Sequence, residues 1–218
     1  MDSQEVSIPL PDATLGGELN VLPGTRSLVI FAHGSGSSRH SSRNQSVARA
    51  LRAAGLGTLL FDLLTAEEEQ SEMHTRHLRF DIPFLAERLV VVTKWVRNQS
   101  ACRDLNVGYF GASTGAAAAL VAAAELPEIV RAVVSRGGRP DLAEAVLDRV
   151  KAPTLLIVGA ADTPVIPLNE QAYVKLQCEK ALRIVPGASH LFEEPGTLEI
   201  VAELAGEWLI KHLGAVSH

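Results

Sequence analysis

The sequence is poor in cysteine and in aromatic residues. It has two cysteines in 218 residues, Cys102 and Cys178, which lie far apart and outside any C-x-x-C arrangement. This spacing predicts two free thiols in a reducing compartment rather than a disulfide. Aromatic residues make up only 5% of the chain, so alanine and valine are expected to fill much of the core.

The sequence also lacks an excess of positive charge and any long apolar run. Its formal net charge is −5 and its pI is about 5.8, which argue against a surface that binds nucleic acid or anionic lipid. No apolar run of 18 residues occurs, and the acidic residues 1–5 are not followed by the apolar segment of a signal peptide. We therefore expect a cytoplasmic protein with no nucleic-acid or membrane partner.

Short apolar runs alternate with helical patterns along the chain. A length of 218 residues suits one α/β domain, which we expect to span residues 1–218. Continuous apolar runs are typical of strands buried on both faces, so the pattern predicts a mostly parallel sheet with helices on both faces. An N-terminal hairpin is predicted at the sheet edge, and the acidic run 65–70 is predicted to be a solvated excursion. The predicted buried strands are 27–32, 57–62, 129–135, 154–159 and 182–185, together with a central strand at the start of the stretch 106–115, and the long helix before the central strand is predicted at 79–97.

One stretch carries a motif with a known chemical use. Gly111, Ser113 and Gly115 form the pattern G-x-S-x-G between an apolar strand and an alanine-rich helix. In that setting the serine sits on a strained strand-to-helix turn with its hydroxyl exposed. The pentapeptide alone is weak evidence for a nucleophile, because an ordinary glycine-containing turn between a strand and a helix can have the same sequence pattern.

Two further polar residues follow predicted strands at the same edge of the sheet. Asp162 comes after strand 154–159 and His190 after strand 182–185, and parallel sheets bind ligands beyond the carboxyl ends of their strands. A serine nucleophile needs a base and a carboxylate that orients the base. Ser113, Asp162 and His190 supply these groups, in the chain order Ser, Asp, His. Asp62 also follows a strand and is a second possible acid.

These motifs resemble the α/β-hydrolase fold, and more narrowly its small dienelactone hydrolase-like branch without a lid domain. The resemblance covers nearly the whole chain, through the His33-Gly34 loop, the elbow around Ser113, and the turns at 159–162 and 187–190. It implies a Ser113–His190–Asp162 triad. Dienelactone hydrolases proper carry a cysteine nucleophile, so Ser113 favours a general serine esterase over a lactone-specific enzyme.

Two backbone N–H groups are expected to bind the oxyanion that forms during acyl transfer. The geometry of the elbow assigns one to Thr114, the residue after the nucleophile. The resemblance assigns the other to Ser35 in the His-Gly loop, with Gly36 as the alternative. We expect His33 to organise this loop by hydrogen bonding.

The substrate site is expected to be open. Only residues 136–153 connect two strands where lipase-type relatives of the fold insert a lid, which favours small soluble substrates. Arg39, Arg136 and Arg139, together with Arg43, follow strands on the catalytic edge and would form a positive rim that binds a carboxylate or phosphate. The alternative is that these arginines pair with local acids.

The sequence therefore predicts a serine hydrolase that cleaves small carboxylic esters, or lactones or thioesters, through an acyl-enzyme. The alternative is a catalytically silent α/β-hydrolase-fold module that binds a ligand or a partner protein. We expect no cofactor and no metal, since His74 and His77 lack a paired carboxylate and cysteine pattern. No pattern predicts an oligomeric state.

Overall fold

The computed structural model describes residues 3–75 and 77–214, apart from the side chain of Met73. Within this part of the chain, one eight-stranded sheet is covered by α-helices on both faces. The strands are β1 (Gln4–Pro9), β2 (Thr14–Asn20), β3 (Ser27–Ala32), β4 (Gly57–Phe61), β5 (Asn106–Ala112), β6 (Val130–Arg136), β7 (Thr154–Gly159) and β8 (Lys180–Val185). The helices are α1 (Ser42–Ala53), α2 (Ala66–Thr75), α3 (Ile82–Asn98), α4 (Thr114–Glu125), α5 (Ile166–Lys175) and α6 (Thr197–Leu213).

The sheet has the strand order β1-β2-β4-β3-β5-β6-β7-β8. Strand β2 pairs with β1 on one side and with β4 on the other, both in antiparallel fashion, and every other pairing is parallel. The predicted mostly parallel sheet and the N-terminal hairpin at its edge are confirmed. Pro9 ends the edge strand β1, where a missing N–H costs least.

The two faces of the sheet carry different helices. Alternate residues of β3 separate into two apolar clusters, with Val29 and Phe31 on the side of α1 and α6 and with Leu28 and Ile30 on the side of α3 and α4. Most of α4 is buried, and its run of alanines lets it pack closely against both α3 and the sheet. The central strand β5 is therefore buried on both sides, which explains its unbroken apolar sequence.

The acidic segment after β4 differs from the prediction. It begins α2 rather than a solvated excursion, because Glu68 forms a two-pronged ion pair with Arg88 of α3 at 2.5 and 2.6 Å. Arg88 is buried, and it also donates a hydrogen bond to the carbonyl of Leu63. The pair therefore docks α2 against α3.

One helix also differs from its predicted boundaries. Helix α3 begins at Ile82 rather than at residue 79, because Asp81 caps it by accepting the N–H of Phe84. The segment before it is a short 3₁₀ turn, Leu78–Phe80. The connection from β6 to β7 contains only a 3₁₀ segment, Pro140–Arg149, so no lid covers the catalytic edge there. No helix in residues 3–75 and 77–214 is both long and apolar enough to span a bilayer.

Candidate active site

Ser113 occupies a strained turn between β5 and α4. Its backbone has φ 50° and ψ −120°, a conformation that non-glycine residues rarely adopt and that marks functional sites. Its N–H donates to the carbonyl of Arg136 at 3.2 Å, and its own carbonyl accepts the N–H of Arg139 at 3.1 Å. The neighbouring strand and the loop after it therefore hold the turn in place.

The two glycines of the motif are required by close backbone contacts. A Cβ atom on Gly115 would lie 2.2 Å from the carbonyl oxygen of Ala32, and one on Gly111 would lie 2.4 Å from the Cα atom of Ala116. Neither backbone atom can move away without displacing a strand or a helix. The glycines thus allow β3, β5 and α4 to converge around the serine.

Asp162 and His190 lie in contact on the same sheet edge. The Nδ1 atom of His190 is 2.6 Å from Oδ2 of Asp162, and Asp162 is only 8% exposed. Their two loops are joined by a hydrogen bond from the N–H of Ala161 to the carbonyl of Ala188 at 2.9 Å. A carboxylate at Nδ1 keeps a proton on that nitrogen, which leaves Nε2 free to act as a base.

Gly137 connects the serine turn to the histidine. It follows Arg136, whose carbonyl binds Ser113, and a Cβ on Gly137 would lie 3.5 Å from Nδ1 of His190. Within the described residues no hydrogen bond joins the Ser113 hydroxyl to the imidazole, a distance that often closes only when substrate binds. Asp62, the other possible acid, is held instead by the N–H and guanidinium of Arg39.

The expected oxyanion-hole residues are adjacent, but Ser35 is engaged differently from the prediction. Its N–H donates to Oγ1 of Thr114 at 3.1 Å, so in this structure that group already has an acceptor. Its hydroxyl is 3.0 Å from the same Thr114 oxygen and donates to the carbonyl of Arg79. Thr114 itself begins α4, where first-turn N–H groups have no acceptor within the helix.

His33 holds the loop that carries Ser35. Its Nδ1 is 3.0 Å from the carbonyl of Gly34, and its Nε2 is 2.9 Å from the backbone nitrogen of Leu63. A backbone N–H can only donate, so Nε2 is the acceptor and Nδ1 carries the proton. Burial lowers the pKa of His33, which keeps the imidazole neutral. This geometry matches the structural role expected for His33.

A small cavity of about 10 Å³, enough for roughly one water molecule, lies beside Ser35 and Thr114. Leu63 and Leu85 supply apolar walls, and Arg79 lines the same space.

A buried carboxylate holds the turn that carries Arg79 beside this cavity, and no sequence pattern indicated it. Glu72 has no exposed surface, and it accepts the N–H groups of His77, Leu78 and Arg79 at 2.8, 2.8 and 3.0 Å. It also binds the guanidinium of Arg79 through Nε at 3.1 Å. Desolvation alone would raise the pKa of Glu72, but the hydrogen bonds from Leu78, Arg79 and Thr75 outweigh it and lower the pKa to about 2.

The lowered pKa of Glu72 predicts a specific acid sensitivity. A depressed carboxyl pKa stabilises the fold above the ordinary value of 4.5, and this contribution is lost as the pH falls from about 4.5 to about 2. We expect wild type to be more stable than Glu72→Gln at pH 7, with the difference shrinking below pH 4.5. Denaturant unfolding of both proteins across this range measures it. A difference independent of pH would contradict the assignment.

Most of the arginines expected to form a positive rim have carboxylate partners. Arg39 is paired with Asp62 and, at 3.5 Å, with Glu5. Arg139 holds Asp141 with two hydrogen bonds of 2.9 and 2.7 Å.

Arg43 also has a carboxylate partner, whereas Arg136 has none among the described residues. Arg43 binds Glu193 at 2.8 Å through Nη1. Arg136 is only 7% exposed, and its Nε and Nη1 atoms have no hydrogen-bond partner among the described residues. The alternative expectation, that the arginines pair with local acids, thus holds for Arg39, Arg43 and Arg139, but not for Arg136.

Known proteins resemble this chain along most of its length. A putative phosphoribosyl transferase of Mycobacterium tuberculosis is 56% identical over 210 residues, which are 96% of this chain but 46% of that protein. The chain therefore spans about half the length of the curated relatives it matches. A dienelactone hydrolase from Anabaena variabilis shares 58% identity and a TM-score of 0.96, over 97% of this chain and 98% of its own.

A more distant structure has the same fold. A serine hydrolase without a lid from Xanthomonas campestris has a TM-score of 0.77 at 22% identity, over 99% of this chain and 97% of its own. The sequence profile of the dienelactone hydrolase family matches residues 21–208. Together with the eight-stranded sheet, the elbow at Ser113 and the open edge, this match shows that the chain belongs to the dienelactone hydrolase family.

Proposed function

We propose that the protein is a serine hydrolase that cleaves small carboxylic esters, or lactones or thioesters, through an acyl-enzyme intermediate. The observation that carries the proposal is the 2.6 Å contact between His190 and Asp162, on the edge where Ser113 sits in its strained turn. A nucleophile, a base and an orienting acid are the three groups that acyl transfer from an ester requires.

In the acylation half-reaction, Ser113 Oγ attacks the ester carbonyl carbon and His190 Nε2 takes the hydroxyl proton. Asp162 stabilises the resulting imidazolium through Nδ1, without itself becoming protonated. When the tetrahedral intermediate collapses, the bond to the leaving oxygen breaks and His190 returns the proton to that oxygen. The alcohol departs and Ser113 carries the acyl group.

Deacylation repeats these steps with water as the nucleophile. His190 takes a proton from the water, the water oxygen attacks the acyl carbon, and the Ser113 oxygen leaves with the proton from His190. Thr114 N–H supplies one oxyanion donor in both halves. Ser35 N–H supplies the second by sharing its proton between the oxyanion and Thr114 Oγ1, which it already contacts at 3.1 Å.

The alternative, a catalytically silent binding module, does not explain why all three polar groups occur together. The name of the mycobacterial relatives belongs to proteins about twice as long as the region they share with this chain, so it does not change the proposal for this site. The serine at the nucleophile position favours ester hydrolysis in general over a dedicated lactone reaction.

A fluorophosphonate probe tests the proposal directly. We expect the probe to label wild-type protein, because an activated serine attacks phosphorus as it attacks an acyl carbon. Ser113→Ala should remain folded and unlabelled, and peptide mapping should place the label on Ser113. Folded wild-type protein that resists labelling would favour the silent binding module.

A further inference from the structure

Arg136 places a buried guanidinium group at the catalytic edge of the sheet. It is the last residue of β6, and the alternate residues Ala132 and Val134 belong to the apolar cluster beneath α1 and α6. Strand alternation directs the Arg136 side chain from the sheet on this same face. The side chain is thus at the boundary between an apolar layer and the loops around Ser113.

No carboxylate neutralises this guanidinium within the described part of the chain. Its Nε and Nη1 atoms lack hydrogen-bond partners, and the residue is 7% exposed. Burial, and then the nearby Arg43, lower the pKa of Arg136 to about 10, which leaves it charged at neutral pH. Burying a charge without a partner is unfavourable, so the group is suited to a partner that arrives from outside.

Arg43 adds a second guanidinium, near enough to lower the pKa of Arg136. It lies in the first turn of α1, which contains no acidic residue. Its Nη1 binds the exposed carboxylate of Glu193, but its Nε is buried without a partner. Two guanidinium groups and one carboxylate leave a net positive charge. We call these two arginines the Arg43–Arg136 cluster.

The cluster lies on the His190 side of the serine. Arg136 binds Ser113 through its carbonyl, the next residue Gly137 contacts His190, and Glu193 follows His190 by three positions. The cavity beside the oxyanion hole instead has Leu63 and Leu85 in its wall, which belong to the apolar cluster on the opposite face of the sheet. Because His190 protonates the leaving oxygen, the leaving group of an ester lies on the side of the cluster.

We propose that the Arg43–Arg136 cluster binds an anionic group, a carboxylate or a phosphate, on the leaving-group half of the ester. Guanidinium groups bind both anions with paired N–H donors, which gives orientation as well as attraction. The proposal rests on the hydrolase function, and it narrows the substrate to esters whose alcohol or phenol carries a negative charge.

Anion binding can be tested without catalysis. Ser113→Ala is melted with inorganic phosphate, with 4-hydroxybenzoate and with its neutral analogue 4-hydroxybenzamide. We expect the two anions to raise the Tm and the amide to have no effect, and we expect Arg136→Met in the same background to remove the response. Equal responses with and without Arg136 would overturn the proposal.

The stability of Arg136→Met without anions is a second readout. Methionine replaces an unpaired buried charge by an apolar chain of similar length, so the Tm should rise or stay unchanged. A lower Tm would identify the guanidinium as a structural group and overturn the proposal. Arg43→Gln keeps the test available should Arg136→Met not fold, and it should weaken the anion response. Its matched control is Arg49→Gln on the exposed face of α1, which should show the same rise in Tm with anions as the Ser113→Ala parent.

Substrate preference then distinguishes a substrate group from a free anion. We expect wild type to hydrolyse 4-acetoxybenzoate with a higher kcat/KM than 4-acetoxybenzamide, and Arg136→Met to lower this ratio by about 10-fold or more. A ratio unchanged by Arg136→Met would assign the site to a free anion and overturn the substrate assignment. If neither ester is cleaved, the hydrolase function fails, while the anion-dependent Tm still reports on the cluster.

Discussion

Replacing His190 with alanine is expected to lower kcat by about 10⁴-fold or more, with a much smaller change in KM. Without the imidazole, Ser113 loses the base that takes its proton in the proposed mechanism, and a neutral hydroxyl is a weak nucleophile. The side chain is 38% exposed, so its removal should leave the Tm close to that of wild type. Steady-state hydrolysis of p-nitrophenyl acetate, together with the rate of fluorophosphonate labelling, measures the loss.

Two further variants test whether the loss is specific to the His190–Asp162 pair. Asp162→Asn should cost a comparable factor, about 10⁴-fold, because an amide at Nδ1 favours the wrong imidazole tautomer. His74→Ala should keep wild-type activity, since His74 lies exposed on α2. A loss of less than about 10-fold in His190→Ala would mean that another group serves as the base.

Replacing Gly115 with alanine is expected to destabilise the protein by about 3 kcal/mol or more, which corresponds to a Tm lower by roughly 6–12 °C for a domain of this size. The new Cβ would lie 2.2 Å from the carbonyl of Ala32 and 2.4 Å from that of His33. Both oxygens belong to backbone, so relief requires α4 to move away from β3. Thermal unfolding should show the lower Tm, and fluorophosphonate labelling of Ser113 should slow.

Gly206 provides the matched control for this substitution. It lies within α6, and a Cβ there would meet only the side chain of Leu51, at an ordinary contact distance of 3.7 Å. Gly206→Ala should therefore stabilise the protein by about 0.5–1 kcal/mol, since alanine favours helix over glycine. A Gly115→Ala protein with wild-type Tm and activity would contradict the close packing around the elbow.

The sequence was sufficient to predict the strands that position the site. Strand β7 is buried on both faces, so it appears as an unbroken apolar run, and the structure places it at the predicted residues Thr154–Gly159. Once the strands are located, the parallel topology brings Ser113, Asp162 and His190 to one edge. These predictions needed only local apolar patterns and one rule of sheet architecture.

Other features depend on contacts between residues distant in sequence. The segment that starts α2 carries no apolar pattern, and its docking depends on Glu68 meeting Arg88, twenty residues later. Glu72 stands among polar residues, and nothing local distinguishes a buried carboxylate from a solvated one. The burial of Arg136 has a weak local signal, since it follows Ala132 and Val134 in alternation, but its lack of a partner is a property of the assembled fold.

The hydrogen bond from the Ser35 hydroxyl to the carbonyl of Arg79 couples the motions of two segments. Glu72 gathers the N–H groups of the turn that carries Arg79, and Arg79 in turn holds the loop that carries Ser35. The turn and the loop therefore form one cooperative unit in local unfolding, because opening either one breaks the bond to the other. Access to the small cavity beside Ser35 and Thr114 and the position of the Ser35 N–H would then be governed by the same opening equilibrium.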